Sequence, residues 1–300
     1  MSDSDDSSTI TRRTLLGASG GALAFPLVGS ASAEGNDRSA FRRCPDATIR
    51  PEHRPCAGAS MDGCADDHPE TVALREAVAE TLEDRYPTVG ALIDDGFLPY
   101  FDTLDGDDDA YSHWLSPDYI GDDHTLDPDR PESVLVDNET WRTIGVMFIA
   151  TDRGEPIERP PVVYGDRDNL EVDDDDHHDD NHHHDDHHHA DGDYCAPWHT
   201  HVGLPGRFGW WYYRQVYEGD YQDGEVLLPC ETPCMMHVWT VSHPDSVYAH
   251  DPPPREKRDE TPAEAGFDTD AEPGEDDLGW DVLPDSLEPD VKPEDISPLD

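Results

Sequence analysis

The sequence predicts an α+β domain in which N-terminal helices pack on an antiparallel sheet. Three observations carry this. Residues 69–95 have apolar positions at helical spacing, short aromatic and β-branched segments follow from 133 to 241, and no strand–helix alternation joins the two regions. A helix is expected after Asp67, with Pro69 and Glu70 in its first turn and a stripe of Leu74, Val78 and Leu82, ending at Tyr86-Pro87. Val89, Leu92 and Ile93 suggest a second, short helix that stops at Gly96. Ser133 to Val136 and Trp141 to Ala150 read as strands joined through Asp137-Asn138-Glu139. Pro161 to Tyr164, Trp198 to Val202, Gly209 to Tyr217, Val226 to Leu228 and Met235 to Val241 read as further strands.

Around this domain, set at 68–250, the composition changes. Residues 34–67 read as an irregular arm containing cysteines, 165–194 as a disordered His/Asp-rich insert, and 251–300 as a disordered acidic tail with nine prolines. Trp280 is the tail's one large apolar anchor.

The 300 residues carry 70 acidic and 20 basic side chains, a formal net charge of −50, with Lys257 and Lys292 the only lysines. Such a polyanion excludes nucleic acid as a natural partner and disfavours anionic membrane surfaces. At molar salt the Debye length falls to about 3 Å and self-repulsion is screened. The lysine-poor, Asp-rich composition resembles that of proteins from extreme halophiles, while a wholly disordered acidic chain is at odds with the periodic apolar segments.

Thr11-Arg12-Arg13-Thr14-Leu15-Leu16, a Gly/Ala-rich apolar run to Val28 and Ala31-Ser32-Ala33 resemble a twin-arginine export signal over 1–33, cleaved after Ala33. The expected location is extracellular; a retained N-terminal anchor is the alternative. The six cysteines, Cys44, Cys56, Cys64, Cys195, Cys230 and Cys234, are an even set that favours disulfides in an exported chain. Cys230 and Cys234 could close on each other, and at least one cysteine of the arm should reach elsewhere. Thiolate metal ligation is the rival reading.

Histidine points to metal. Residues 173–193 hold eight histidines (His177, His178, His182, His183, His184, His187, His188, His189) and ten aspartates. Neutral imidazoles among carboxylates should bind divalent transition metals loosely and lose them as the rings protonate near pH ~6.5. By composition, the tract resembles the His/Asp-rich loops of metal-transport proteins. The ordered candidates are His113, His199, His201 and His237. On a strand, His199 and His201 face the same side. Met235 shares a face with His237 and could add a soft ligand suited to copper. His243 is a weaker candidate. Three converging imidazoles would make a zinc or copper site with an open position.

Several segments, in order, resemble a group of exported bacterial and archaeal proteins with a His-Val-Trp motif and no assigned reaction. They are Tyr86, Gly96-Phe97, His113-Trp114, Asp127-Pro128 with Pro131-Glu132, Gly145-Val146-Met147-Phe148, and His237-Val238-Trp239 with Pro244 and Tyr248. Ser112 and Ser246 stand where that pattern has glycines. The resemblance implies that His113 and His237 belong to one constellation, together with His201.

No G-x-S-x-G elbow, P-loop, dinucleotide fingerprint or H-E-x-x-H occurs. Trp210-Trp211-Tyr212-Tyr213 suggests a carbohydrate platform or, more simply, a core strand with one exposed rim. Three functional classes follow: a metal-binding protein, a zinc- or copper-dependent enzyme using an acid/base partner such as Glu132, and a disulfide-stabilised interaction domain with incidental histidines.

Overall fold

In a computed structural model of the chain, the described residues are 44–102, 104, 111–166, 194–219, 228–259 and 261–296. The export-signal segment and the His/Asp tract lie outside them. The strands are β1 (His53–Pro55), β2 (Leu98–Tyr100), β3 (Tyr111–Leu115), β4 (Ser133–Asp137), β5 (Thr143–Ile149), β6 (Thr151–Asp152), β7 (Glu155–Pro156), β8 (His199–His201) and β9 (Met235–Trp239). The helices are α1 (Pro69–Arg85), α2 (Val89–Asp94), α3 (Pro117–Ile120) and α4 (Leu204–Tyr212), and α4 runs into a π-helical turn over Tyr213–Glu218. Seven strands form one sheet in the order β1-β8-β9-β5-β4-β3-β2, with every neighbouring pair antiparallel. The α+β expectation holds.

The first helix starts where capping chemistry places it. His68 Nδ1 accepts from the Glu70 amide, and Pro69 occupies a first-turn position where its missing N–H costs nothing. Val78 and Leu82 are buried, with Leu74 packed beside them, against the sheet face that presents Trp114, Val134, Val136, Val146, Phe148, Met236 and Val238. Thr88 Oγ1 caps α2 through the Ala91 amide. The alternate residues of the same strands, including Leu115, Leu135, Met147, Ile149, Met235 and Trp239, face the opposite side and pack against Leu204, Phe208 and Tyr212 of α4. With both faces covered, β4 and β9 are buried at every position.

Three expectations are corrected. Residues 209–217 are helical, because Gly203 ends β8's extended path and Pro205 sits in the first turn of α4. That local start overrides the β preference of the aromatic run, and Trp210, Tyr212 and Tyr213 are core residues rather than a carbohydrate platform. Of the expected strand 226–228, only Leu228 is described, and it is not in a strand; Pro161 to Tyr164 provides only one bridge, Tyr164 with Cys195. The tail, read as disordered, has little regular structure over 251–296 but is packed. Leu278, Trp280 and Leu283 are buried, and Trp280 meets Phe101 edge-on at 5.0 Å. Arg258 Nη1 lies 2.8 Å from Asp137 Oδ2, both side chains being at most 5% exposed.

The cysteines pair as Cys44–Cys230, Cys56–Cys234 and Cys64–Cys195. Cys230 and Cys234 do not close on each other; every arm cysteine crosses to the region of β8 and β9. No described helix is long and apolar enough to cross a membrane. The three disulfides fit an oxidising, extracellular setting.

Breaking one partner of the Arg258–Asp137 pair leaves a buried carboxylate uncompensated. Arg258→Met should lower stability by about 3–5 kcal/mol, read as an earlier midpoint in denaturant unfolding at molar salt.

Candidate metal centre

The centre lies on the sheet face that carries α4. Register sets its content. His113 on β3 pairs with Tyr100 and Leu135, His237 on β9 pairs with Met147, His199 pairs with Met235, and His53 on β1 pairs with His201. In a flat sheet, three strand spacings would part the His113 and His237 backbones by about 14 Å. Their ring centroids are 6.1 Å apart. The two side chains therefore reach toward each other across this face, over the small Ser133 and Gly145 of the intervening strands.

All four ordered candidates meet here. His199 is 5.3 Å from His201 and 5.6 Å from His237, ring to ring. Two further histidines, not singled out from the sequence, join them. His250 lies 4.9 Å from His199, 5.1 Å from His201 and 5.8 Å from His237. His53, more exposed, stacks on His250 at 4.0 Å. The ligand-capable nitrogens of His199, His201 and His250 all fall within 4.8 Å of one another, so these three can hold a metal ion. Rings bound to one tetrahedral ion at ~2.0–2.1 Å stand about 5 Å apart, centroid to centroid, as these three do.

The donor chemistry fits. His250 Nδ1 lies 2.9 Å from Asp251 Oδ1, and that hydrogen bond holds the Asp251 carboxyl below its usual range. In the neutral ring the bond places the proton on Nδ1 and the lone pair on Nε2, which is buried without a hydrogen-bond partner. His199 Nε2 and both ring nitrogens of His237 are likewise buried without partners at hydrogen-bonding geometry. Burial lowers the basicity of every ring whose shift is resolved, and the neighbouring imidazoles add to the effect. His113 falls to about 4 and His201 to about 3, while His199 and His237 lie well below the ordinary value. Burial thus favours the neutral form of these four rings, the state that binds metal.

A cavity of about 310 Å³ opens beside the rings, lined in part by Tyr100, Tyr111, Met147, Trp210 and Tyr213. Glu52, Asp102 and Asp251 are its charged lining, with no lysine or arginine among the described lining residues. That sign of charge attracts cations. Gly206 of α4 makes the fit possible: a Cβ there would stand 2.4 Å from the His201 ring.

Two candidates fall elsewhere. His243 is a turn residue: its Nδ1 accepts from the Asp245 amide and its Nε2 lies 3.2 Å from the Asp251 carbonyl oxygen. Glu132 does not line the cavity; it is buried, and Oε2 accepts from the Ile149 amide at 3.1 Å. The loop histidines, His177 to His189, lie outside the described residues. His250 is the last residue of the expected domain, and its partner Asp251 falls in the segment read as a disordered tail, so the His250-Asp251 pair is split by that boundary. His53 was hidden in an arm read as irregular, and its pairing with β8 and the Cys56–Cys234 bridge reveal its strand.

No family model, curated protein or solved structure matches this chain.

Burial raises the Glu132 carboxyl well above its ordinary 4.5. The native state therefore binds this proton more tightly than the unfolded chain, and the stabilisation it gives below pH 4.5 is lost as pH rises toward the raised value. Glu132→Gln keeps an acceptor for Ile149 and cannot ionise. Its stability relative to the native chain should rise steadily between pH 4.5 and 7 in urea unfolding; a difference independent of pH would contradict the assignment.

Proposed function

We propose that this is an exported, brine-adapted protein that binds a divalent transition metal ion, zinc or copper, through His199, His201 and His250. The observation that carries the reading is the orientation of His250. Its Nδ1–H donates to Asp251, which leaves a buried, unpartnered Nε2 on a ring that clusters with His199 and His201. A core histidine without a ligand role would be expected to bond a carbonyl or water at that nitrogen. The His/Asp tract at 173–193 adds loose, pH-sensitive binding capacity for the same ions. Export rests on the twin-arginine pattern of the first 33 residues and agrees with the three disulfides.

A second reading is a metal-dependent extracellular enzyme. It is favoured by one observation: the triad supplies three ligands beside an open cavity, as catalytic sites do. Glu132 is not its acid/base group, because it lies outside the cavity.

Elemental analysis of the full chain, secreted by a halophilic host and washed with a weak chelator, tests the first reading. One tight equivalent should remain, and it should be lost in a His199→Ala, His201→Ala double variant. Asp251→Asn should weaken zinc binding roughly 10- to 100-fold, the usual effect of removing a carboxylate behind a ligating ring. Absence of tight metal from the native chain would reject the reading.

Gly206→Ala should disturb site and packing together. Alanine favours a helix by about 1 kcal/mol over glycine, yet its Cβ would stand 2.4 Å from His201 Cγ and 2.5 Å from His201 Cβ, so β8 and α4 must move apart. Zinc affinity should fall at least tenfold, with a lower thermal midpoint.

A further inference from the structure

We propose that the cluster takes a second ion, monovalent copper, beside the triad, held by His113, His237 and the Met147 thioether. The inference rests on the triad being a metal site, and it adds a position of different chemistry next to it.

His237 is the starting point. It is 2% exposed, and although the His250 backbone approaches its ring, neither ring nitrogen meets a partner at full hydrogen-bonding geometry. A neutral imidazole carries one donor and one acceptor, and leaving both buried and unmet is costly. The triad closes among His199, His201 and His250 without it. On its other side stands His113, 6.1 Å away. Tetrahedral ligation sets rings about 5 Å apart, so two rings at this larger separation share an ion only at a wide nitrogen–metal–nitrogen angle. A wide angle suits an ion of low coordination number.

The third donor has the matching softness. Met147 is the direct register partner of His237 across β5 and β9, is 5% exposed, and lines the same cavity as both rings. Met235 is the other thioether on this face, but it pairs with His199 on the triad side. Thioether and imidazole together select Cu(I) over zinc. The cavity provides the entrance, and its carboxylates favour a cation.

The test uses the full chain, loaded with zinc, under oxygen-free conditions, with Cu(I) offered as its bicinchoninate complex. One Cu(I) per chain should be withheld from the chelator while zinc stays bound. Met147→Leu conserves volume and so preserves the fold. It should lower copper affinity at least tenfold with zinc content unchanged, and His113→Ala should do the same. Three results would overturn the proposal: no copper withheld, copper gained only as zinc is expelled, or copper withheld equally by both variants, which would assign it to the 173–193 tract. A chain that keeps no zinc refutes the triad reading by itself; copper binding sensitive to Met147→Leu would still support the second position, and insensitivity would still remove it.

Discussion

The desolvation of clustered imidazoles is the constraint on which the rest of this structure depends. His199 and His237 are buried almost completely, and His113, His201 and His250 are partly buried around them. Rings so close repel one another when protonated and leave lone pairs unmet when neutral. Burial settles the first problem by holding the resolved rings neutral. A cation shared among the lone pairs answers the second. The strand register, the covering helix α4 and the absence of a side chain at Gly206 all serve to bring these rings together.

The acidic surroundings work in the same direction. The chain's net negative charge extends to the cavity, which Glu52, Asp102 and Asp251 line. Asp251 has the further task of fixing the His250 ring. The buried Arg258–Asp137 pair plays a different part, fastening the acidic tail to the end of β4 so that Leu278, Trp280 and Leu283 complete the core on the far side of the sheet.

Much of this was legible where one local rule dominates. The α1 stripe, its proline start, the β4–β5 hairpin and the shared side of His199 and His201 all follow from periodicity and capping. The grouping of His113, His201 and His237 rests on the resemblance of the His113-Trp114 and His237-Val238-Trp239 segments to other exported proteins; alternation alone fixes each ring's side of its strand but not which strands are neighbours. What escaped depends on tertiary context. A run of aromatic residues at 209–217 has strand preference, yet the Gly203-to-Pro205 start commits it to a helix. The tail looks too polar and proline-rich to pack, but three spaced apolar side chains and one arginine suffice to dock it. His53 gains its place through long-range pairing of β1 with β8 and a disulfide that joins segments 178 residues apart.

The order in which the triad's residues occur along the chain has a consequence for biogenesis. His199 and His201 precede β9, whereas His250 follows it, beyond the last strand of the sheet. A nascent polypeptide that has not reached residue 250 therefore lacks the ring that closes the set. The three-ring geometry needs the segment beyond β9 in place, and any ion held there earlier would be bound by an incomplete pair of imidazoles.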